Sequence, residues 1–203
     1  MRAVGRSTVI AGAVVAALVM WTPAQAQVFV GELAGTQEVP PNASPGVGTA
    51  TVTLAGDFMS VHVVFSSLMG LTTLAHIHCC APAGANAGAA TPTPTFPGFP
   101  AGVSSGMYEM IFDLSLASSY SPAFVTASGG DVLLARTAFV DAMHAGNTYF
   151  NIHTSEFPGG EIRGQLLPRA AAVPEPTSLI LMGTGLIGLG ALRRRRQSAV
   201  ERT

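Results

Sequence analysis

The fold is decided by residues 148–154 (TYFNIHT), 156–160 (EFPGG) and 161–167 (EIRGQLL). The first and third segments are rich in aromatic and β-branched residues, which predicts two strands. Proline sets φ and glycine permits a positive φ, so the middle segment predicts a tight reversal between them. The sequence therefore predicts an antiparallel hairpin, in which we expect Glu161 and Arg163 to pair on one face.

Short alternating runs separated by Gly, Pro and Ser continue upstream of this hairpin and predict further strands. They occupy residues 28–33, 48–54, 59–65, 71–78 and 108–116. Asp131 is a plausible N-cap and Gly146 a plausible stop for one short helix. About seven short strands in one domain predict a mainly β fold, an antiparallel sandwich or barrel. The long Ala-, Gly- and Pro-rich stretch 81–105 is typical of a functional or disordered loop.

Three of the five histidines lie in two of the predicted strands. His76 and His78 are two residues apart, so their side chains leave the same face of a strand; Asn151 and His153 share a face in the same way. If the two strands are neighbours, His76, His78 and His153 form a three-nitrogen metal site that suits zinc or copper and leaves one position open. The alternative is that these histidines donate buried hydrogen bonds to loop backbone and stabilise the end of the sheet.

The only cysteines, Cys79 and Cys80, are adjacent and follow His78 directly. Adjacent cysteines cannot join distant parts of the chain. They can form a vicinal disulfide, bridge to another molecule, or act as soft ligands for Cu(I) or zinc. The residues leave these three alternatives open.

The segment 75–78 (AHIH) and the hairpin NIHT…PGGEIRGQ together closely resemble the CHRD domain, the module named after chordin and found in many exported bacterial proteins. The resemblance spans about residues 28–168, and residues 37–41 (QEVPP) fit the family's first loop. It implies an immunoglobulin-like β-sandwich and no established enzymatic activity. The chain departs from the family pattern at Cys79-Cys80 and in the long loop. The His-x-His strand is also similar to the copper-binding strand of Cu/Zn superoxide dismutase, an analogy at the level of the fold.

Residues 1–26 have the pattern of a signal peptide. Arg2 and Arg6 precede an apolar run, residues 9–21, and the small residues of Ala24-Gln25-Ala26 follow it. We expect signal peptidase to cleave after Ala26.

The C-terminal end has the complementary pattern. A linker, residues 169–178, contains Pro174-Glu175-Pro176, and an apolar segment then runs to a cluster of arginines: Arg193, Arg194, Arg195 and Arg196. The apolar segment is about 14 residues, roughly 21 Å as a helix, where a comfortable span needs about 20 residues. Residues 179–203 thus predict a marginal transmembrane segment with its arginines in the cytoplasm. The motif order closely resembles the PEP-CTERM sorting signal, which implies recognition by exosortase and release to the envelope or the extracellular space.

The segment between the signal peptide and the sorting signal is acidic. Residues 27–173 contain three arginines, no lysine and nine carboxylates, a net charge of −6 with neutral histidines. This balance argues against a nucleic-acid partner, whose phosphates need Lys and Arg. No nucleophile elbow, phosphate loop or HExxH motif occurs. We therefore expect residues 27–168 to form a non-enzymatic module that binds an extracellular matrix polymer or a protein. The alternative is a small protein that binds copper or zinc through the three histidines, with redox activity as a further option.

Mass spectrometry of the exported protein is expected to show Gln27 as the first residue and no Arg193–Arg196 cluster. Signal peptidase removes the first segment, and exosortase processing removes the arginine tail. A mature protein that still carries the four arginines would contradict the exosortase prediction and leave export itself intact.

Overall fold

A computed structural model describes residues 26–169. Residues 1–25 of the predicted signal peptide, the predicted linker beyond Arg169 and the predicted membrane segment lie outside the described residues. In chain order the elements are β1 (Gln27–Ala34), β2 (Val47–Ala55), β3 (Phe58–Ser66), β4 (Thr72–Cys79), β5 (Gly106–Asp113), α1 (Pro122–Ala127), α2 (Val132–His144), β6 (Thr148–Thr154), β7 (Ile162–Gln165) and β8 (Leu167–Arg169). No helix in this part of the chain is long and apolar enough to cross a bilayer.

The strands form one antiparallel sheet in the order β4-β6-β7-β1-β2-β3-β5, with β8 paired to β1. The halves of this sheet meet at β7 and β1, where only Ala34 and Arg163 are paired. Phe96 contacts both Phe112 of β5 and Phe150 of β6, with ring centroids 5.2 and 5.7 Å apart. Because these strands lie near opposite ends of the order, the sheet curls around Phe96. The predicted mainly β, antiparallel fold is confirmed.

Burial follows the alternation of the strands in β3. Met59, Val61, Val63 and Phe65 face the core, and the residues between them are exposed or half-buried. β6 differs, because all seven of its residues are buried. One face of β6 packs on the core, and the other carries Tyr149, Asn151 and His153 beneath loops. The polar side chains of β6 are therefore enclosed although they do not face the core.

The long loop 81–105 covers the free edge of β4. Backbone hydrogen bonds join Cys79 to Gly88, Ala90 to Ile77 and Phe96 to Ala75, with N···O distances of 2.9 to 3.2 Å. A loop that pairs with an edge strand satisfies donors and acceptors that would otherwise remain open. It also brings its own backbone carbonyls next to the side chains of β4.

The expected helix is α2, and its predicted N-cap is confirmed. The Asp131 carboxylate accepts hydrogen bonds from the backbone N–H groups of Leu133 and Leu134. The chain leaves the helix through Gly146, whose φ is 69°. A second helix, α1, precedes it; at six residues it is too short for a readable apolar period.

The predicted pairing of Glu161 with Arg163 is wrong. Glu161 lies just before β7 and is fully buried, and its carboxylate has four donors at 2.5 to 3.1 Å. These donors are the hydroxyls of Ser44 and Thr154 and the backbone N–H groups of Met69 and Gly70. Burial acts to raise the pKa of Glu161, but these hydrogen bonds outweigh it and hold the pKa below its usual value. The carboxylate thus joins two loops and the end of β6 to the turn that precedes β7.

Glu161→Gln is expected to lower the free energy of unfolding by about 2–3 kcal/mol, because an NH2 group replaces an oxygen that accepts charge-assisted hydrogen bonds. Urea denaturation at pH 7 measures the loss. Glu156→Gln, on the exposed part of the same turn, is the control and should change stability by less than about 0.5 kcal/mol. Equal stability of the two variants would contradict the role of Glu161.

Candidate metal centre

β4 and β6 bring the three predicted histidines together. The strands pair with His76 opposite Asn151 and Leu74 opposite His153, so His153 lies diagonally across from His76 on the same face. The ring centroids are 5.6 Å apart for His76 and His78, 5.6 Å for His76 and His153, and 5.8 Å for His78 and His153. The rings therefore stand at the corners of a nearly equilateral triangle.

Each imidazole donates a hydrogen bond to a different backbone carbonyl. His76 Nε2 donates to Pro94 O at 2.7 Å, His78 Nδ1 to Ala87 O at 2.9 Å, and His153 Nδ1 to Pro158 O at 2.9 Å. A carbonyl oxygen only accepts, so these nitrogens carry the protons. In the neutral ring the other nitrogen then has a free lone pair. The hydrogen bond to the carbonyl thus fixes the tautomer, as the outer partners of metal-bound histidines do.

The remaining ring nitrogens are His76 Nδ1, His78 Nε2 and His153 Nε2, and all three are buried without a hydrogen-bond partner. One ring nitrogen from each histidine lies within 4.8 Å of the other two. For metal–nitrogen bonds of about 2.05 Å, we expect ring centroids about 5.2 Å apart in a tetrahedral site and about 5.5 Å apart in a trigonal one. The observed triangle is a few tenths of an ångström wider. The facing nitrogens, which lie within 4.8 Å of one another, would also have to approach to about 3.3–3.6 Å, so the rings must turn inward to bind a metal.

The histidines are enclosed, with relative exposures of 5%, 9% and 8% for His76, His78 and His153. Burial lowers the pKa of all three rings, because the charged form is poorly solvated there. The effect is largest at His78, where burial and the neighbouring His76, His153 and Arg163 bring the pKa to about 4 despite the hydrogen bond to Ala87. At neutral pH the rings are therefore uncharged, which is the form that binds a metal.

Further residues of the polar face were missed by the sequence analysis. Tyr149 stacks on His78 with 4.8 Å between centroids, and the guanidinium of Arg163 lies 3.9 Å over the same tyrosine ring. Arg163 also donates to Asn86 Oδ1 and Ala85 O, each at 2.8 Å. The position of Tyr149 could have been predicted, because Tyr149, Asn151 and His153 share one face of the strand. The loop partners of Arg163 could not, because no sequence pattern connects them to it.

Cys79 and Cys80 form a vicinal disulfide. Cys79 belongs to the hydrophobic core, on the side of β4 opposite the histidines, and Cys80 is exposed. Among the described residues, the cluster able to hold a metal contains the three histidines and neither cysteine. In this oxidised form the sulfurs carry no thiolate, so the donors of the site are imidazole nitrogens alone.

The sorting residues predicted from the sequence, Pro174 to Pro176 and Arg193 to Arg196, lie outside the described residues. Comparison with family models finds a PEP-CTERM protein-sorting motif at residues 172–196, which covers all of them. This motif indicates export across the inner membrane, transient anchoring, and then a location in the envelope or outside the cell. The exported and exosortase-sorted character of the chain is thus confirmed.

A second family model, the CHRD domain, matches residues 29–166, which is more than half of the chain and almost all of the described sheet. No curated protein and no solved structure matches the chain. The matched segment contains the His-x-His strand β4, the hairpin of β6 and β7, and the three converging histidines. The chain is therefore a member of the CHRD domain family, carrying a PEP-CTERM sorting motif.

Proposed function

We propose that this exported domain binds one copper or zinc ion through His76, His78 and His153. The observation that carries the proposal is the arrangement of the three rings. Each ring has one nitrogen hydrogen-bonded to a backbone carbonyl, and its other nitrogen is buried and unpartnered inside the cluster.

The alternative from the sequence, histidines that only stabilise the fold through hydrogen bonds, accounts for half of the ring nitrogens. The bonds to Pro94, Ala87 and Pro158 use one nitrogen of each ring, and three lone pairs remain. A buried acceptor without a donor costs about 1–3 kcal/mol. A single water molecule can donate two hydrogen bonds and would leave one of the three lone pairs without a partner. One metal ion can bind all three ring nitrogens.

The donor set favours copper or zinc. Three neutral imidazoles suit these ions, and magnesium and calcium prefer oxygen ligands. The disulfide removes Cys79 and Cys80 from the ligand set. Three protein nitrogens leave one position for a further ligand, as in sites that also bind water or a small molecule.

We also propose that the module acts by binding, to a matrix polymer or a protein, and not by catalysis. The outer face of β3 and β5 supports this role. Val64 and Met107 are directly opposite each other, Ile111 follows on the same face, and these side chains are 46%, 64% and 66% exposed. The polar pair His62 and Glu109 lies between Ile111 and the other two, so this face presents exposed apolar and polar side chains together, a mixture that suits contact with a polymer or a protein. The processing partners in this proposal are signal peptidase and exosortase.

The processed protein, purified without a histidine tag, is expected to hold one equivalent of copper or zinc by elemental analysis after incubation with the metal and desalting. His76→Ala/His78→Ala should lose this metal, because one imidazole cannot retain it. His62→Ala, a half-buried histidine of β3, is the matched control and should keep the full equivalent. Bound metal at about 100 times its Kd should add about 2.7 kcal/mol to the free energy of unfolding.

Circular dichroism of the double variant separates loss of the site from loss of the fold. A wild-type protein that retains neither metal at stoichiometric amounts would contradict the metal proposal, and the binding-module proposal would then stand alone.

The contribution of the buried histidines to stability without metal is expected to fall with pH in a defined range. Glu38 acts in the opposite sense over the same range, because burial raises its pKa to about 7. Unfolded histidines bind protons near pH 6.5, while the folded rings resist protonation, His78 down to about pH 4. The depressed pKa values therefore contribute stability that is full above about pH 6.5 and decreases as pH falls toward about 4. Thermal unfolding of the wild-type protein and of His78→Gln from pH 7.5 to 4.5 isolates the part due to His78, and the stability advantage of the wild type should shrink as pH falls. An unchanged pH profile in this variant would contradict the burial effect at His78.

A further inference from the structure

A cavity of about 420 Å³ opens beside the three histidines, on the same polar face of the sheet. Its walls come from the loop after β1, including Glu38 and Val39, from Ala83 and Gly84 in the long loop, and from β7. Arg163 and Gln165 of β7 also line it. The metal site uses none of these side chains.

Arg163 is a buried cation without an anion. Its side chain is 2% exposed, and its hydrogen-bond acceptors, Asn86 Oδ1 and Ala85 O, are both neutral. Within residues 26–169 the only Arg–carboxylate pair closer than 4.0 Å is Arg136 with Asp57. A buried charge is costly unless an opposite charge compensates it. The guanidinium at this cavity therefore lacks the partner that such groups usually have.

Glu38 lines the same cavity but does not provide that partner. It is 6% exposed, makes no ion pair with Arg163, and its Oε1 is buried without a hydrogen bond. Burial raises the pKa of Glu38 to about 7, against the opposing effects of Arg163 and Asn151. A carboxyl group that protonates this readily can donate its O–H to a neighbouring anion.

The loops around the cavity are joined to each other and to Arg163 by Asn86. Its Oδ1 accepts from Arg163 at 2.8 Å, and its Nδ2 donates to Val39 O at 2.9 Å. Tyr149 stacks against the guanidinium at 3.9 Å and fixes its plane. A cation held in this way is preorganised, so a ligand does not have to order it on binding.

We propose that this cavity binds a small organic carboxylate, whose negative charge pairs with Arg163. Arginine matches the planar carboxylate better than any other side chain. Val39, Pro41 and Ala83 provide apolar contact for the carbon skeleton, and Gln37 provides an amide for further polar groups. The site is separate from the metal proposal, although Tyr149 lies between Arg163 and His78 and joins the two in one stack.

Isothermal titration of the processed protein tests the proposal with carboxylates and their neutral amides: glutarate with glutaramide, lactate with lactamide, and glucuronate with glucuronamide. At least one carboxylate should bind, and its amide should bind about tenfold more weakly or not at all. Ala83→Trp fills the exposed mouth of the cavity and should weaken binding by about tenfold or more. Ala101→Trp, also exposed in the same loop but outside the cavity, is the matched control and should leave binding within about twofold.

Arg163→Lys keeps the positive charge and removes the planar guanidinium with its parallel N–H groups. It should therefore also weaken carboxylate binding by about tenfold. Glu38→Gln retains a hydrogen-bond donor and should retain binding. No binding of any of the three carboxylates at about 10 mM, equal binding of carboxylate and amide, or undiminished binding in Ala83→Trp would each overturn the proposal. Metal content is measured on the same samples, so the carboxylate proposal and the metal proposal are tested independently.

Discussion

The carboxylate of Glu161 holds the end of the sheet at which the candidate metal centre forms. It accepts from Ser44 in the loop after β1, from the backbone of Met69 and Gly70 before β4, and from Thr154 at the end of β6. Asn42 adds bonds to the backbone carbonyls of Gly160 and Glu161. This network fixes the turn whose Pro158 carbonyl orients His153, so the geometry of the histidines depends on a residue that does not touch them.

The polar face of β4, β6 and β7 is unusual because it is buried without belonging to the apolar core. The long loop 81–105 makes this possible. It pairs with the edge of β4 through its backbone and supplies the carbonyls of Ala87 and Pro94 to two histidines. It also supplies Ala85 and Asn86 to Arg163. Exclusion of water strengthens each of these interactions and keeps the imidazoles neutral. A loop of low sequence complexity is thus the element that shapes both proposed sites.

Charge on this face is arranged so that no ion pair forms within it. The histidines have lowered pKa values, Glu38 has a raised one, and Arg163 is the permanent charge. A copper or zinc ion in the neutral histidine cluster would add further positive charge, which an anion at Arg163 would partly offset. The metal and carboxylate proposals are electrostatically compatible for this reason.

The sequence by itself determined the export and sorting signals, the strands, the N-cap at Asp131 and the same-face placement of His76 with His78, because each depends on local periodicity or on a short motif. The hairpin of β6 and β7 was equally readable from its turn residues. Only the tertiary structure decided that β4 and β6 are neighbours, which brings His153 to the other two histidines, and that Glu161 turns to the loops and not to Arg163. The exposed cavity beside Glu38, the carbonyls that orient the rings and the unpaired charge of Arg163 also came from the tertiary structure alone. These features join residues far apart in the chain, 117 positions in the case of Ser44 and Glu161, and no local pattern records such contacts.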